Sequence, residues 1–169
     1  MRRTIALCII MSLLLPSVAL AGLDSKKAAY QGGTTKEIDF PGAEKAIEGE
    51  LDTGNEEELL FFYKLDKKKR TYGIPYKQFI DIEYGQKAGR RVGAAVATAI
   101  LLSPVGLFML FSKKRKHFVT IGYTDDAGKE QVAIFELGKD LIRTTLPILE
   151  ARSGKKIIYQ DEEAKKSGK

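Results

Sequence analysis

The chain has 169 residues with 28 Lys and Arg against 22 Asp and Glu, one histidine, one cysteine and a formal charge of +6. That length suits one domain. The lone histidine excludes a multi-histidine metal site, and the lone cysteine excludes an intrachain disulfide. Much of the basic excess is clustered in Lys67-Lys68-Lys69-Arg70, Arg90-Arg91 and Lys113-Lys114-Arg115-Lys116, which is the arrangement an anionic surface would feel.

In chain order, Arg2 and Arg3 precede the apolar run Ile5–Leu15, followed by Pro16 and by Ala19-Leu20-Ala21. A basic region, a hydrophobic region and small residues before a cut are the parts of a secretory signal peptide, so residues 1–21 are read as one. An uncleaved membrane anchor is the alternative. Cys8 lies inside this segment, so the mature chain would carry no thiol. Loss of Arg2 and Arg3 leaves 26 basic and 22 acidic side chains, a charge of +4.

Residues 22–44 are mixed and polar and read as a flexible leader with room for one short strand. Ala46–Leu51 suits a strand and Asp52-Thr53-Gly54-Asn55 a turn. Leu59–Leu65 reads as a second strand, the basic run 67–70 as the next turn, and Thr71–Ile74 as a strand that Pro75 ends. In Phe79–Tyr84, Ile80, Ile82 and Tyr84 alternate with Asp81 and Glu83, which predicts one buried and one wet face. Residues 118–137 form a β-hairpin around Asp125-Asp126-Ala127-Gly128. Asp140–Arg152 has the apolar spacing of a helix, with Asp140 as its cap, Pro147 inside and Gly154 ending it. Ile157–Tyr159 adds a short strand, and 161–169 is a charged, fraying tail.

Between the strands at 79–84 and 118–123 lies Val92–Phe111, which carries no charge. As one helix it would span about 30 Å, enough for a bilayer core. A single crossing would separate two strands of one sheet, so the preferred reading is an apolar helical hairpin turning at Ser103-Pro104-Val105-Gly106, re-entrant or held in one leaflet. Gly89, Gly93 and Ala97 form its small-residue packing face, with Pro104 and Gly106 at the turn. Arg90, Arg91, Lys113, Lys114, Arg115 and Lys116 at its foot would face lipid phosphates or an acidic partner. A crossing helix and a buried element of a soluble protein are the alternatives.

Ile80-Asp81-Ile82-Glu83-Tyr84-Gly85, His117-Phe118-Val119-Thr120-Ile121-Gly122-Tyr123 and Leu149-Glu150-Ala151-Arg152-Ser153-Gly154-Lys155-Lys156 resemble segments of small bacterial exported proteins with a pleckstrin-homology-like, GRAM-like domain. The resemblance covers residues 45–160. It implies a bent antiparallel sheet or small barrel capped by a C-terminal helix, used to bind lipid, peptide or protein. The 90–116 insert and the strand after the helix depart from that pattern.

The expected protein is therefore mainly β with α: a bent antiparallel sheet or small pleckstrin-homology-like barrel, a C-terminal helix and an inserted apolar helical hairpin. No catalytic, cofactor-binding or metal-ligating constellation is found. His117 follows a basic run into a strand, Glu56-Glu57-Glu58 reads as a solvated run, and Asp125 and Asp126 lack calcium-loop spacing. The expected function is a non-enzymatic binding or scaffolding module of the bacterial envelope, on the periplasmic face of a membrane, with lipid or an envelope protein as partner and no nucleic acid. Two alternatives stand: a soluble adaptor that oligomerises or binds partners through the insert, and an enzyme whose site the sequence hides.

Overall fold

The computed structural model describes residues 27–35, 37–38, 46–86 and 116–168. In chain order these form β1 (Ala28–Gly33), β2 (Ile47–Asp52), β3 (Glu58–Leu65), β4 (Lys68–Pro75), a 3-10 turn (Tyr76–Gln78), β5 (Phe79–Gly85), β6 (His117–Thr124), β7 (Glu130–Leu137), α1 (Lys139–Ser153), β8 (Ile157–Tyr159) and α2 (Glu162–Gly168). All strands join one sheet in the order β4-β3-β2-β1-β7-β6-β5-β8. Every pairing is antiparallel except β5 with β8, which is parallel.

Local chemistry sets the breaks between strands. After β2, the Asp52 carboxylate accepts the Gly54 N–H at 2.6 Å, and the Asn55 side-chain oxygen accepts the N–H groups of Glu57 and Glu58. These Asx turns substitute for ladder bonds and reverse the chain into β3. Asp66 and Lys67 both take positive φ, 50° and 65°, the requirement of a two-residue hairpin turn whose twist matches its strands. Between β6 and β7 the Asp125 carboxylate accepts from Gln131 Nε2 and from the N–H groups of Lys129 and Ala127. Those bonds stabilise the ionised form and hold its pKa below the usual carboxylate value, the Gln131 bond foremost.

The sheet is strongly curled. β4 and β6 stand five strands apart in the ladder, about 24 Å on a flat sheet, yet the hydroxyls of Tyr72 and Tyr123 meet at 2.5 Å. Phe61 of β3 and Phe135 of β7 also meet, with ring centroids 5.3 Å apart, and Tyr30 packs edge-on against both Phe135 and Tyr72. The concave side thus encloses an aromatic core, which Ile142, Leu146 and Leu149 of α1 and Ala164 of α2 complete. At the end of α1 the Arg152 guanidinium donates to the carbonyls of Thr53 and Asn55 and lies 5.6 Å from the Tyr76 ring centre. This ties the helix to the β2–β3 turn.

Several expectations need correction. Only the sheet-rich character agrees with the expected fold: the structure is an eight-stranded mixed sheet with unjoined edges at β4 and β8, not an antiparallel sheet or a closed small barrel. The physical reason lies after α1, where Gly154 takes φ 70° and reverses the chain. Ile157–Tyr159 then pairs along the otherwise free edge of β5. Among the described residues two α-helices, one on each side of β8, stand in place of a single cap, and no apolar helical hairpin occurs. Gly89, Gly93, Ala97, Pro104 and Gly106 lie outside them, as do Arg90, Arg91, Lys113, Lys114 and Arg115.

The membrane-crossing or re-entrant helix is corrected as well. Among the described residues no helix is long and apolar enough to cross a membrane. The longest has 15 residues and includes Lys139, Asp140, Arg143, Glu150 and Arg152, charges a bilayer core would not accept. Residues 1–21 fall outside the described residues.

Smaller differences have local causes. Ala28–Gly33, from the stretch read as leader, is a central strand between β2 and β7. Residues 162–168, read as a fraying tail, form α2. Gly138, not Asp140, is the cap position of α1, and Asp140 instead lies in the first turn, where a negative charge meets the positive end of the helix dipole. A bulge between Phe79 and Asp81 turns Ile80 outward at 40% exposure. Glu83, expected on a wet face, is buried.

Candidate functional site: a basic groove on the β2–β4 face

The β3–β4 hairpin concentrates cations by its register. Closure at Asp66-Lys67 places Leu65 opposite Lys68, Lys64 opposite Lys69, Tyr63 opposite Arg70 and Phe62 opposite Thr71. Alternation sends Leu59, Phe61 and Tyr63 into the core and leaves Phe62 and Lys64 outside. Lys68, Lys69, Arg70 and Thr71 are all exposed on the edge strand. Lysines on an edge strand discourage pairing with another chain, and that structural role accounts for Lys68 without any ligand.

The same role covers Lys69 but not Lys64, which lies on the inner strand β3. Two like charges directly opposite on neighbouring strands destabilise a sheet. The ion pairs seen among the described residues, Lys116–Glu136 and Lys165–Glu162, involve neither of them. Lys64, Lys69 and Arg70 line an open groove of about 1020 Å³ together with Lys27, Glu48, Glu50, Phe62 and Thr71. Phe62 is 40% exposed there and faces Glu50 across the β2–β3 ladder. An aromatic side chain among flexible cations can enter the boundary between headgroups and acyl chains while the cations meet phosphate oxygens.

Of the basic residues expected at the foot of the insert, Lys116 alone is described, and it is engaged within the fold. Its ammonium lies 2.8 Å from Glu136 of β7, whose side chain is 8% exposed. Gln31 of β1 donates to the same carboxylate oxygen at 2.5 Å. Its neighbour His117 places Nδ1 2.7 Å from the Tyr84 hydroxyl. Burial and then Lys139 lower the His117 pKa, against an opposing effect of Glu136. Burial, with Tyr159 and Asp161, pushes the Tyr84 hydroxyl up to about 12. Among the described residues no three His, Cys, Asp or Glu side chains gather to hold a metal ion.

Sequence reading found the run at 67–70 but missed Lys27, Phe62 and Lys64. The available signal was the two-residue spacing at Asp66-Lys67, which sets residue 64 opposite residue 69 once a tight hairpin is assumed. No model of a known protein family matches the chain, and no curated protein matches it. The groove and its register are therefore the basis for a functional reading.

Proposed function

We propose that the protein is a non-enzymatic binding or scaffolding module that attaches peripherally to an anionic membrane surface of the bacterial envelope. The carrying observation is the pairing of Lys64 with Lys69 beside Arg70 and the exposed Phe62, in a groove where Lys27, Lys64, Lys69 and Arg70 outnumber Glu48 and Glu50. Lipid phosphates would give anionic partners to two lysines that form no ion pair among the described residues. The N-terminal pattern of Arg2, Arg3 and the apolar run Ile5–Leu15 supports export to that compartment. Attachment in this reading uses surface charge and one aromatic side chain.

The test is co-sedimentation of the full chain with vesicles of phosphatidylglycerol and phosphatidylethanolamine. Binding should weaken as salt rises, because exposed charges are screened. Each cation near an anionic surface contributes about 1 kcal/mol. Replacing Lys64, Lys69 and Arg70 by Ala together should therefore weaken binding by roughly two orders of magnitude. Equal binding to neutral phosphatidylcholine vesicles, or unchanged affinity in the triple variant, would contradict the reading.

A further inference from the structure

The three strands β5, β6 and β7 are buried on both faces. On the core side, Ile82, Tyr84, Val119, Ile121 and Phe135 join the aromatic cluster, and the buried residues of α1 and α2 join them there. Register and alternation set Glu83, Phe118, Thr120, Val132, Ile134 and Glu136 on the opposite face. Their exposures are only 0–6%. Strands buried on both sides need a layer on each side. Leaving Phe118, Val132 and Ile134 in water would forgo the favourable free energy of burying them.

We infer that this second face is the docking site of the chain's own apolar segment Val92–Phe111. Connectivity is the first reason. The segment lies in the stretch that joins the end of β5 at Gly85 to the start of β6 at His117, and these two strands are neighbours in the sheet. The two strands it connects are thus both part of the face. Composition is the second reason, since residues 92–111 are uncharged and include Ile100, Leu101, Leu102, Leu107, Phe108 and Phe111. Charge is the third. The face includes two buried carboxylates, Glu83 and Glu136, while the segment is flanked by Lys87, Arg90, Arg91 and Lys113–Lys116. Lys116, just before β6, already reaches Glu136 at 2.8 Å.

The inference is independent of the basic groove, which lies on β2–β4, and can fail while that reading stands. Its test is photocrosslinking of the full chain with Phe118 replaced by p-benzoylphenylalanine, in buffer and with anionic vesicles. An intrachain adduct on a peptide from residues 92–111 is expected in both conditions. Adducts with lipid, with a second copy or with residues 1–26, or no peptide adduct at all, would overturn it. Because the bulky replacement could disturb folding, Thr120→Cys in a Cys8→Ser background is paired with single cysteines scanned along residues 94–109. At least one pair should oxidise to an intrachain disulfide. Failure of every pair in folded protein would equally overturn the inference.

Discussion

Lys67 has a cost written in its backbone. Its φ of 65° and the 50° of Asp66 are left-handed values, in which a side chain with Cβ pays about 1–2 kcal/mol relative to glycine. Asp-Gly is a preferred pair for this turn, so Lys67→Gly should stabilise the fold by about 1 kcal/mol in urea unfolding; a loss of stability would refute the turn. His117 makes a pH prediction. With the ring proton on Nε2, its Nδ1 accepts the Tyr84 hydroxyl, and burial lowers its pKa. The unfolded chain then binds this proton more readily than the folded one. The contribution is therefore full above about pH 6.5 and is lost as pH falls through the lowered folded value. A proton NMR titration of the His117 ring should give a midpoint below 6.5, and one above it would reverse the sign.

At the scale of elements, the meeting of β4 with β6 is made by two hydroxyls. Tyr72 and Tyr123 are 3% exposed each, and a buried hydrogen bond of this kind is worth about 1 kcal/mol net. Tyr72→Phe and Tyr123→Phe should each destabilise by about 1 kcal/mol. The double variant should cost clearly less than their sum, because the second removal ends no bond that still exists. Strict additivity in denaturant melts would show that the two strands do not share this contact. What the sequence made legible follows the same division. Strands β2, β3, β6 and β7 and helix α1 were readable because their turn residues and periodicities are local. β1 was not, since Ala28-Ala29-Tyr30-Gln31-Gly32-Gly33 has weak strand chemistry and is fixed by distant partners β2 and β7. β5 misled because one bulged residue shifts the alternation, and because the face of Glu83 is buried. For the site, the charges at 67–70 were visible, whereas the opposition of Lys64 and Lys69 exists only after hairpin closure.

For the whole molecule, the curl separates two functions of the sheet. Its concave side and helices build an aromatic core that fixes the strands, while the β2–β4 end presents cations at a groove. Lys64 and Lys69 face each other across the hairpin, and under the proposed function an anionic surface relieves the repulsion between them. Lys69→Glu exchanges that repulsion for an attraction and removes a phosphate contact, so stability and binding should move in opposite directions. The most direct measurement is thermal unfolding of the wild type and of Lys69→Glu, each with and without phosphatidylglycerol vesicles. Without vesicles the variant should melt higher than the wild type; vesicles should raise the wild-type midpoint and raise that of the variant clearly less. A variant that melts lower alone, or vesicles that shift both proteins equally, would contradict the account.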